Sequence, residues 1–395
     1  MRHLHERLSD EDEPLTAGSV NHVTMKLSKP PKVLGHAMPD DDTALHPGHF
    51  KRKTKLPTPV WLADCPADDI ASVRGSSTDD NNAPTLQHRL TTEVTAFVAY
   101  TNAEIEAAQA SVQESLARLN ACLEKQWPTA HATCFGSFAS GLWLPSSDVD
   151  VVVQGIPTSL DDVPRRPLDT IETLLRTESW VGHVSVVGTK VTVLKVILKA
   201  CGRRMDIAVE TADTQQGLAA TEILRAAVSS MPHMRPLVLV LKTFLREKGL
   251  NNAFTGGLSS YALVLLCLHY MLSRPPAAEE DVGALVLGFL EYYGTMYDHT
   301  KRGITWFVNP LGHLESVEYE RKTSTKKCEL VLDDPIHPDD RGVYNVGASA
   351  YAMVRVVAAL ENAFYAIEFH RTSRFTPTPL SQMIHWSGPA PLSTA

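Results

Sequence analysis

The sequence predicts an α+β chain in which a small domain built on a mixed sheet precedes a mostly helical domain. Between residues 129 and 224, short β-rich runs alternate with helical stretches. From residue 225 onward, apolar side chains are dense over segments of helical length. The chain has 395 residues, 44% apolar and 21% charged, enough for two cores with tails.

Residues 1–86 are rich in Asp, Pro, Ser, Asn and His, with acidic runs such as Asp40-Asp41-Asp42 and no sustained periodicity. Such a segment buries too little apolar surface to offset its ordering entropy, so a disordered tail is expected. Inside it, Lys51-Arg52-Lys53-Thr54-Lys55 reads either as a nuclear localisation signal or as a plain solvated run. Residues 87–128 read as N-terminal helices that pack on the helical domain. There Thr101-Asn102-Ala103-Glu104 has the form of a capping box. Ile105, Ala108, Val112, Leu116, Leu119 and Leu123 then recur at threes and fours, one face of a helix ended by Pro128.

The small domain, residues 129–224, follows. A short strand over 131–135, a Gly-Ser turn and a strand over 149–153 are predicted, then a helical stretch at 168–178 and β-rich segments at 184–198 and 203–210. Helices are expected at 221–229, 236–248, 259–273, 282–293 and 348–369, the last four within a domain of residues 225–370. Residues 371–395 are rich in Pro, Ser and Thr and read as a flexible tail.

Bulk charge narrows the function classes. A formal net charge of −8 excludes a protein that grips duplex nucleic acid by itself, so any such contact must be local or assisted by a partner. Six scattered cysteines without a C-x-x-C pair argue against a disulfide framework or zinc knuckle and fit a reducing compartment. The sixteen histidines form no clear ligand pair at helical spacing. The first residues are charged and lack an apolar core, and the longest apolar run, 261–272, is too short for a bilayer. An intracellular protein with no membrane partner is expected.

The chemistry is carried by Phe135-Gly136-Ser137 followed, after ten residues, by Asp148-Val149-Asp150. Residues two apart in a strand share a face, so Asp148 and Asp150 point together while the valines supply a buried run. Adjacent carboxylates repel unless a divalent cation neutralises them, and hard oxygen ligands suit Mg²⁺, with Mn²⁺ as the alternative. Gly136 allows close backbone approach, and Ser137 can offer an N–H and a hydroxyl to phosphate at a helix start. A third carboxylate is needed to complete a two-metal site. Asp206 is the best candidate, on a segment whose Met205, Ile207 and Val209 face the core; Glu210 shares its face but lies further along.

These motifs resemble the DNA polymerase beta nucleotidyltransferase superfamily. Within it the chain is similar to the nuclear-surveillance poly(A) polymerases of TRAMP-type complexes, also called DNA polymerase sigma. The resemblance runs over residues 90–370. It is carried by Cys134-Phe135-Gly136-Ser137-Phe138, Leu142-Trp143-Leu144-Pro145-Ser146-Ser147-Asp148-Val149-Asp150, Met205-Asp206-Ile207, Pro236-Leu237-Val238-Leu239-Val240-Leu241-Lys242 and Leu250-Asn251-Asn252-Ala253-Phe254-Thr255-Gly256-Gly257-Leu258.

The resemblance implies a polymerase beta-like palm, a helical PAP-associated domain and template-independent transfer of AMP from ATP to an RNA 3′ end. It implies Asp148, Asp150 and Asp206 as metal-holding catalytic residues. Lys242 matches the triphosphate-binding lysine, with Arg246 one turn on either joining it or serving a surface ion pair. Ser260 and Tyr261 match a pair whose hydroxyl touches phosphate and whose ring stacks on the base, with core packing the alternative for Tyr261. Asp334-Pro335 and Asn345-Val346-Gly347 match the ends of a nucleotide recognition loop. A zinc-knuckle-type RNA-binding partner, a helicase and a nuclear location, nucleoplasmic or nucleolar, follow from the same likeness, with the cytoplasm as the alternative. Tyr344 stands where uridylyl-adding relatives carry histidine, which favours ATP. Ala348 replaces an arginine, and the loop between Asp334 and Asn345 is longer than usual. Uridylyl or mixed-nucleotide transfer and an inactive scaffold of an RNA-decay complex are the alternatives.

Overall fold

The computed structural model describes residues 56–75, 84–157, 165–188, 192–274, 281–321, 329–338 and 340–387. The basic run at 51–55 lies outside them, as do residues 1–50 and 388–395.

A five-stranded sheet forms the first domain. Its strands are β1 (His131–Phe135), β2 (Val149–Gln154), β3 (Val181–Val187), β4 (Val193–Leu198) and β5 (Arg204–Val209), in spatial order β1-β2-β5-β4-β3. β2 and β5 run parallel and the other neighbours antiparallel, so the sheet is mixed as the sequence predicts. The single β-rich segment expected at 184–198 is instead two antiparallel strands, β3 and β4. Val149, Val151, Val153, Met205 and Ile207 line one sheet face and are fully buried. They share a core with Ile171 and Leu175 of the helix Arg165–Arg176.

That core is closed by a 41-residue helix, Leu86–Gln126, which we number α2 after a short α1 at Ala67–Arg74. The later helices are α3 (Gly136–Ala139), α4 (Arg165–Arg176), α5 (Ala212–Ser230), α6 (Met234–Glu247), α7 (Ser260–Leu272), α8 (Val282–Glu291) and α9 (Met353–Glu368). Ala108, Val112, Leu119 and Leu123 of α2 pack under the sheet, whereas Leu90, Val94 and Phe97 enter the core of the second domain. The helix therefore starts well before the capping box read at Thr101. Its N-cap is Thr85, whose hydroxyl accepts the His88 N–H at 3.2 Å. Thr101 is buried in mid-helix and donates its hydroxyl to the Phe97 carbonyl at 2.8 Å, a common fate for helical threonine.

The second domain packs α6 to α9 around Phe244, Leu265, Phe289 and Leu360. It also holds a hairpin absent from the sequence reading, β6 (Arg302–Val308) paired with β7 (Leu314–Glu320). Both terminal expectations need correction. Residues 56–75 are folded, with Trp61 and Leu62 buried, and residues 371–387 bring Leu380, Met383 and Ile384 into the same core. The two segments meet where the Val60 N–H bonds the Trp386 carbonyl at 3.1 Å. Between them lies fully buried Glu93 of α2. It accepts the Trp61 indole N–H at 3.0 Å and the Leu380 backbone N–H at 2.7 Å.

Candidate active site

The site sits where β2 and β5 run side by side. Asp150 is directly opposite Asp206 in the parallel register, and their apolar neighbours fix it. A slip of one residue would drive both carboxylates into the core and its valines out. The turn before β2 is braced by Trp143, buried and edge-on to Phe138 with ring centroids 5.2 Å apart. Its indole N–H donates to the Ser147 and Asp148 carbonyls, both at 3.2 Å. The strand entrance bearing Asp148 is thereby pinned.

Gly136 is required here for a definite reason. Its φ is +66°, and a Cβ at this position would stand 2.6 Å from Asp150 Oδ2. The close approach is to a carboxylate, and the Gly136 N–H is already donated to the Thr221 hydroxyl at 2.8 Å. Ser137 follows in α3 and lines the same cleft.

Asp150, the most buried of the three carboxylates, feels the other two. Burial pushes the Asp150 carboxyl up to about 6, and the charges of Asp206 and Asp148 add to the effect. The structure meets this negative charge with two palm cations that sequence reading missed. Lys195 of β4, the cross-strand partner of Asp206, sets its ammonium 2.9 and 2.7 Å from the two Asp206 oxygens and 3.5 Å from Asp148 Oδ2. Arg204 Nε lies 2.7 Å from Asp148 Oδ1. Burial lowers the Lys195 pKa, but its bond to Asp206 and the neighbouring charges outweigh that and raise it.

Facing the acid cluster across a cleft of about 600 Å³ are α6 and α7. The cleft joins Asp148 and Asp150 to Lys242, Arg246, Ser260 and Tyr261, bringing together most of the residues singled out in the sequence. Lys242 is buried. Its ammonium donates to the Leu142 carbonyl at 2.8 Å, and burial pulls its pKa down to about 8 against the attraction of Asp150. It supports Asp150 from behind as well as lining the cleft. Arg246 and Ser260 are exposed to the cleft, and the Tyr261 hydroxyl donates to Asp334 Oδ1 at 2.9 Å. Burial and Asp334 together push that phenol well above its ordinary range.

Asn345 stands apart from this group. Its side chain accepts the Gly347 and Leu332 N–H groups at 2.8 and 3.0 Å and donates to the Leu330 carbonyl at 3.0 Å. It ties the base of the loop 334–345 rather than lining the cleft. Within that loop His337 stacks on Tyr344 at 3.9 Å and reaches Gln216 of α5 at 3.3 Å.

The residues suit a hard divalent cation. The donors are all carboxylate oxygens, and a buried Asp150 flanked by two others calls for more positive charge than one shared ammonium supplies. The Ser146 hydroxyl, in the same wall, is buried without a hydrogen-bond partner. Among the described residues the three carboxylates do not converge as a ready-made metal cage, because Asp148 and Asp206 are each held by a cation.

Residues 90–228, which contain all three aspartates, match the family described as "Poly(A) RNA polymerase, mitochondrial-like, central palm domain". About a third of the chain is thus similar to the palm of poly(A) RNA polymerases. Poly(A) RNA polymerase protein 1 of Eremothecium gossypii is 27% identical over 291 residues, which are 71% of this chain and 46% of that protein. The chain thus spans about half the length of this relative. The "Inactive non-canonical poly(A) RNA polymerase protein Trf4-2" of Drosophila melanogaster is 30% identical over 60% of this chain and 58% of its own length. Among solved structures, the polymerase core of TRAMP, described as an RNA surveillance complex, superimposes with a TM-score of 0.63. It covers 78% of this chain and 98% of its own at 22% identity, a likeness of fold. The mixed sheet followed by a helical domain is therefore the α+β fold that the sequence predicts, shared with that polymerase core.

Proposed function

We propose that this chain is a template-independent RNA 3′-end adenylyltransferase, adding AMP from ATP to RNA for surveillance, decay or processing. One observation carries the proposal: Asp148 and Asp150 line a cleft walled by residues of α6 and α7, and Asp206 stands beside Asp150 in register on the parallel strand. The RNA 3′-hydroxyl oxygen attacks the α-phosphorus and gives up its proton to solvent, a new phosphodiester bond forms, the bond from the α-phosphorus to the α–β bridging oxygen breaks and pyrophosphate leaves. Such a reaction needs positioning and charge neutralisation more than covalent help from the protein. Asp148, Asp150 and Asp206 would hold Mg²⁺, which when bound supplies charge to the phosphates and lowers the pKa of the attacking hydroxyl. Ser137, Arg246 and Ser260 offer hydrogen bonds to the triphosphate. The charge of Lys242 favours ionised Asp150, and the Tyr261 ring, steadied by Asp334, offers a face to the base.

Primer extension with Mg²⁺ and each NTP supplied alone tests the assignment. ATP is expected to be used best. Preferential use of UTP would establish the uridylyl-transfer alternative. The inactive relative in Drosophila makes a scaffold role the other competitor; it fails if extension occurs and Asp206→Ala abolishes it. Reliance on a zinc-knuckle-type RNA-binding partner and a helicase, and residence in the nucleus, belong to the same proposal. Their support is the net charge of −8 and the likeness to the TRAMP core. Tight binding of oligoadenylate by the purified chain alone would contradict the need for a partner.

A further inference from the structure

We infer that Lys195 is an exchangeable counter-ion, holding the acid cluster in the metal-free protein and yielding its place when a divalent cation enters. The inference rests on the metal-dependent reading of the site and extends it to a residue outside the carboxylate set. Lys195 lies in the middle of β4, in the run Val193-Leu194-Lys195-Val196, where Leu194 and Val196 are fully buried on the opposite face. Alternation therefore fixes the lysine on the same sheet face as Asp150 and Asp206. Register then places it beside its partner, because Lys195 pairs with Asp206 and Leu194 with Ile207.

The contacts are those of a shared cation. The ammonium touches both oxygens of Asp206 and lies within ion-pair distance of Asp148 Oδ2. One positive group thus serves two of the three carboxylates at once. The ammonium occupies both Asp206 oxygens and repels a dication placed beside them, so metal entry favours swinging the lysine away. Lys195 is long, unbranched and about one-third exposed, which permits the swing without repacking the core. Arg204 differs: it engages Asp148 alone and is more exposed, so it is the weaker competitor.

The test measures Mg²⁺ binding without turnover. The metal-stripped full chain is titrated with Mg²⁺ alone, and the rise in melting temperature gives the half-saturating concentration. Lys195→Met is expected to lower the metal-free melting temperature. It should also lower the half-saturating Mg²⁺ by roughly thirtyfold, the effect of removing a unit charge about 4 Å from a dication in a well-solvated setting. Arg204→Met should shift it less. If Lys195→Met does not fold, Lys195→Gln, which keeps a polar head without charge, is read on the same titration with the same expectation. An unchanged or raised half-saturating Mg²⁺ in the neutral variant, with normal Mg²⁺ stabilisation of the wild type, overturns the counter-ion exchange alone. No Mg²⁺ stabilisation of the wild type, matching Asp206→Asn, overturns the metal-dependent reading and this inference with it.

Discussion

Asp150 and Glu93 are both acidic side chains that burial pushes toward neutrality, yet one faces a cleft and the other is sealed in a core. Burial raises Asp150 to about 6 with help from two neighbouring carboxylates. Burial raises Glu93 to about 7, but there Thr378, Leu380, Trp61 and Arg89 pull the other way. Asp150 is surrounded by like charge and opens toward substrate-sized space; Glu93 is surrounded by donors and has nowhere to bind anything. A displaced pKa therefore marks a chemical site only where the surroundings leave the charge under-compensated. Glu93 is instead a clasp that joins the segment carrying Trp61, helix α2 and the segment carrying Leu380.

The largest expected contrast comes from removing each acid in turn. Asp150→Ala is expected to reduce primer extension by about a thousandfold, roughly 4 kcal/mol of transition-state stabilisation, while leaving the melting temperature at or above wild type. A folded Asp150→Ala protein with near-normal extension would break the contrast at its first term. Glu93→Ala should do the reverse, costing about 3 kcal/mol of stability in urea unfolding because it orphans buried donors, with kcat of the folded fraction near normal.

Acid–base linkage sharpens the same contrast. Glu93 binds its proton more tightly folded than unfolded, since its ordinary value is 4.5 and its folded value is about 7. Its contribution to stability is thus greatest below pH 4.5, declines as pH rises toward 7 and is flat above, an effect of at most about 3 kcal/mol. Subtracting the urea stability of Glu93→Gln from that of wild type should reveal this downward slope; an upward one would mean the donors dominate. The smallest effect is expected at Tyr261→Phe, which loses only the bond to Asp334. About 1 kcal/mol is at stake, read as a rise of up to about fivefold in KM for ATP with kcat little changed.

The acid trio was legible because alternation in 147–153 and 203–210 fixes which side chains share a face, and three aspartates fell on the polar one. Lys195 escaped because a single lysine in an apolar strand looks like an ordinary solvated position until the β4–β5 register is known. The Tyr261–Asp334 bond joins residues 73 apart, a separation no local pattern encodes. Trp61-Leu62 and Leu380 were hidden for another reason: they are short apolar words in polar segments, buried only because each supports the other across α2. Hairpin β6–β7 could have been found from the β-branched and aromatic run Ile304-Thr305-Trp306-Phe307-Val308, with the turn residues Asn309-Pro310 and Gly312 after it. Asn345 was matched to a ligand-binding motif although its side chain is spent on backbone groups.

Helix α2 has a mechanical consequence. At 1.5 Å per residue its 41 residues span about 60 Å, and it is gripped near one end by the helical core and near the other by the sheet. The two walls of the cleft are therefore mounted on one continuous shaft. Among the described residues α2 runs unbroken from one core to the other, so widening or narrowing of the cleft bends the stretch between its two grips. A stiff shared shaft sets a restoring force on that motion.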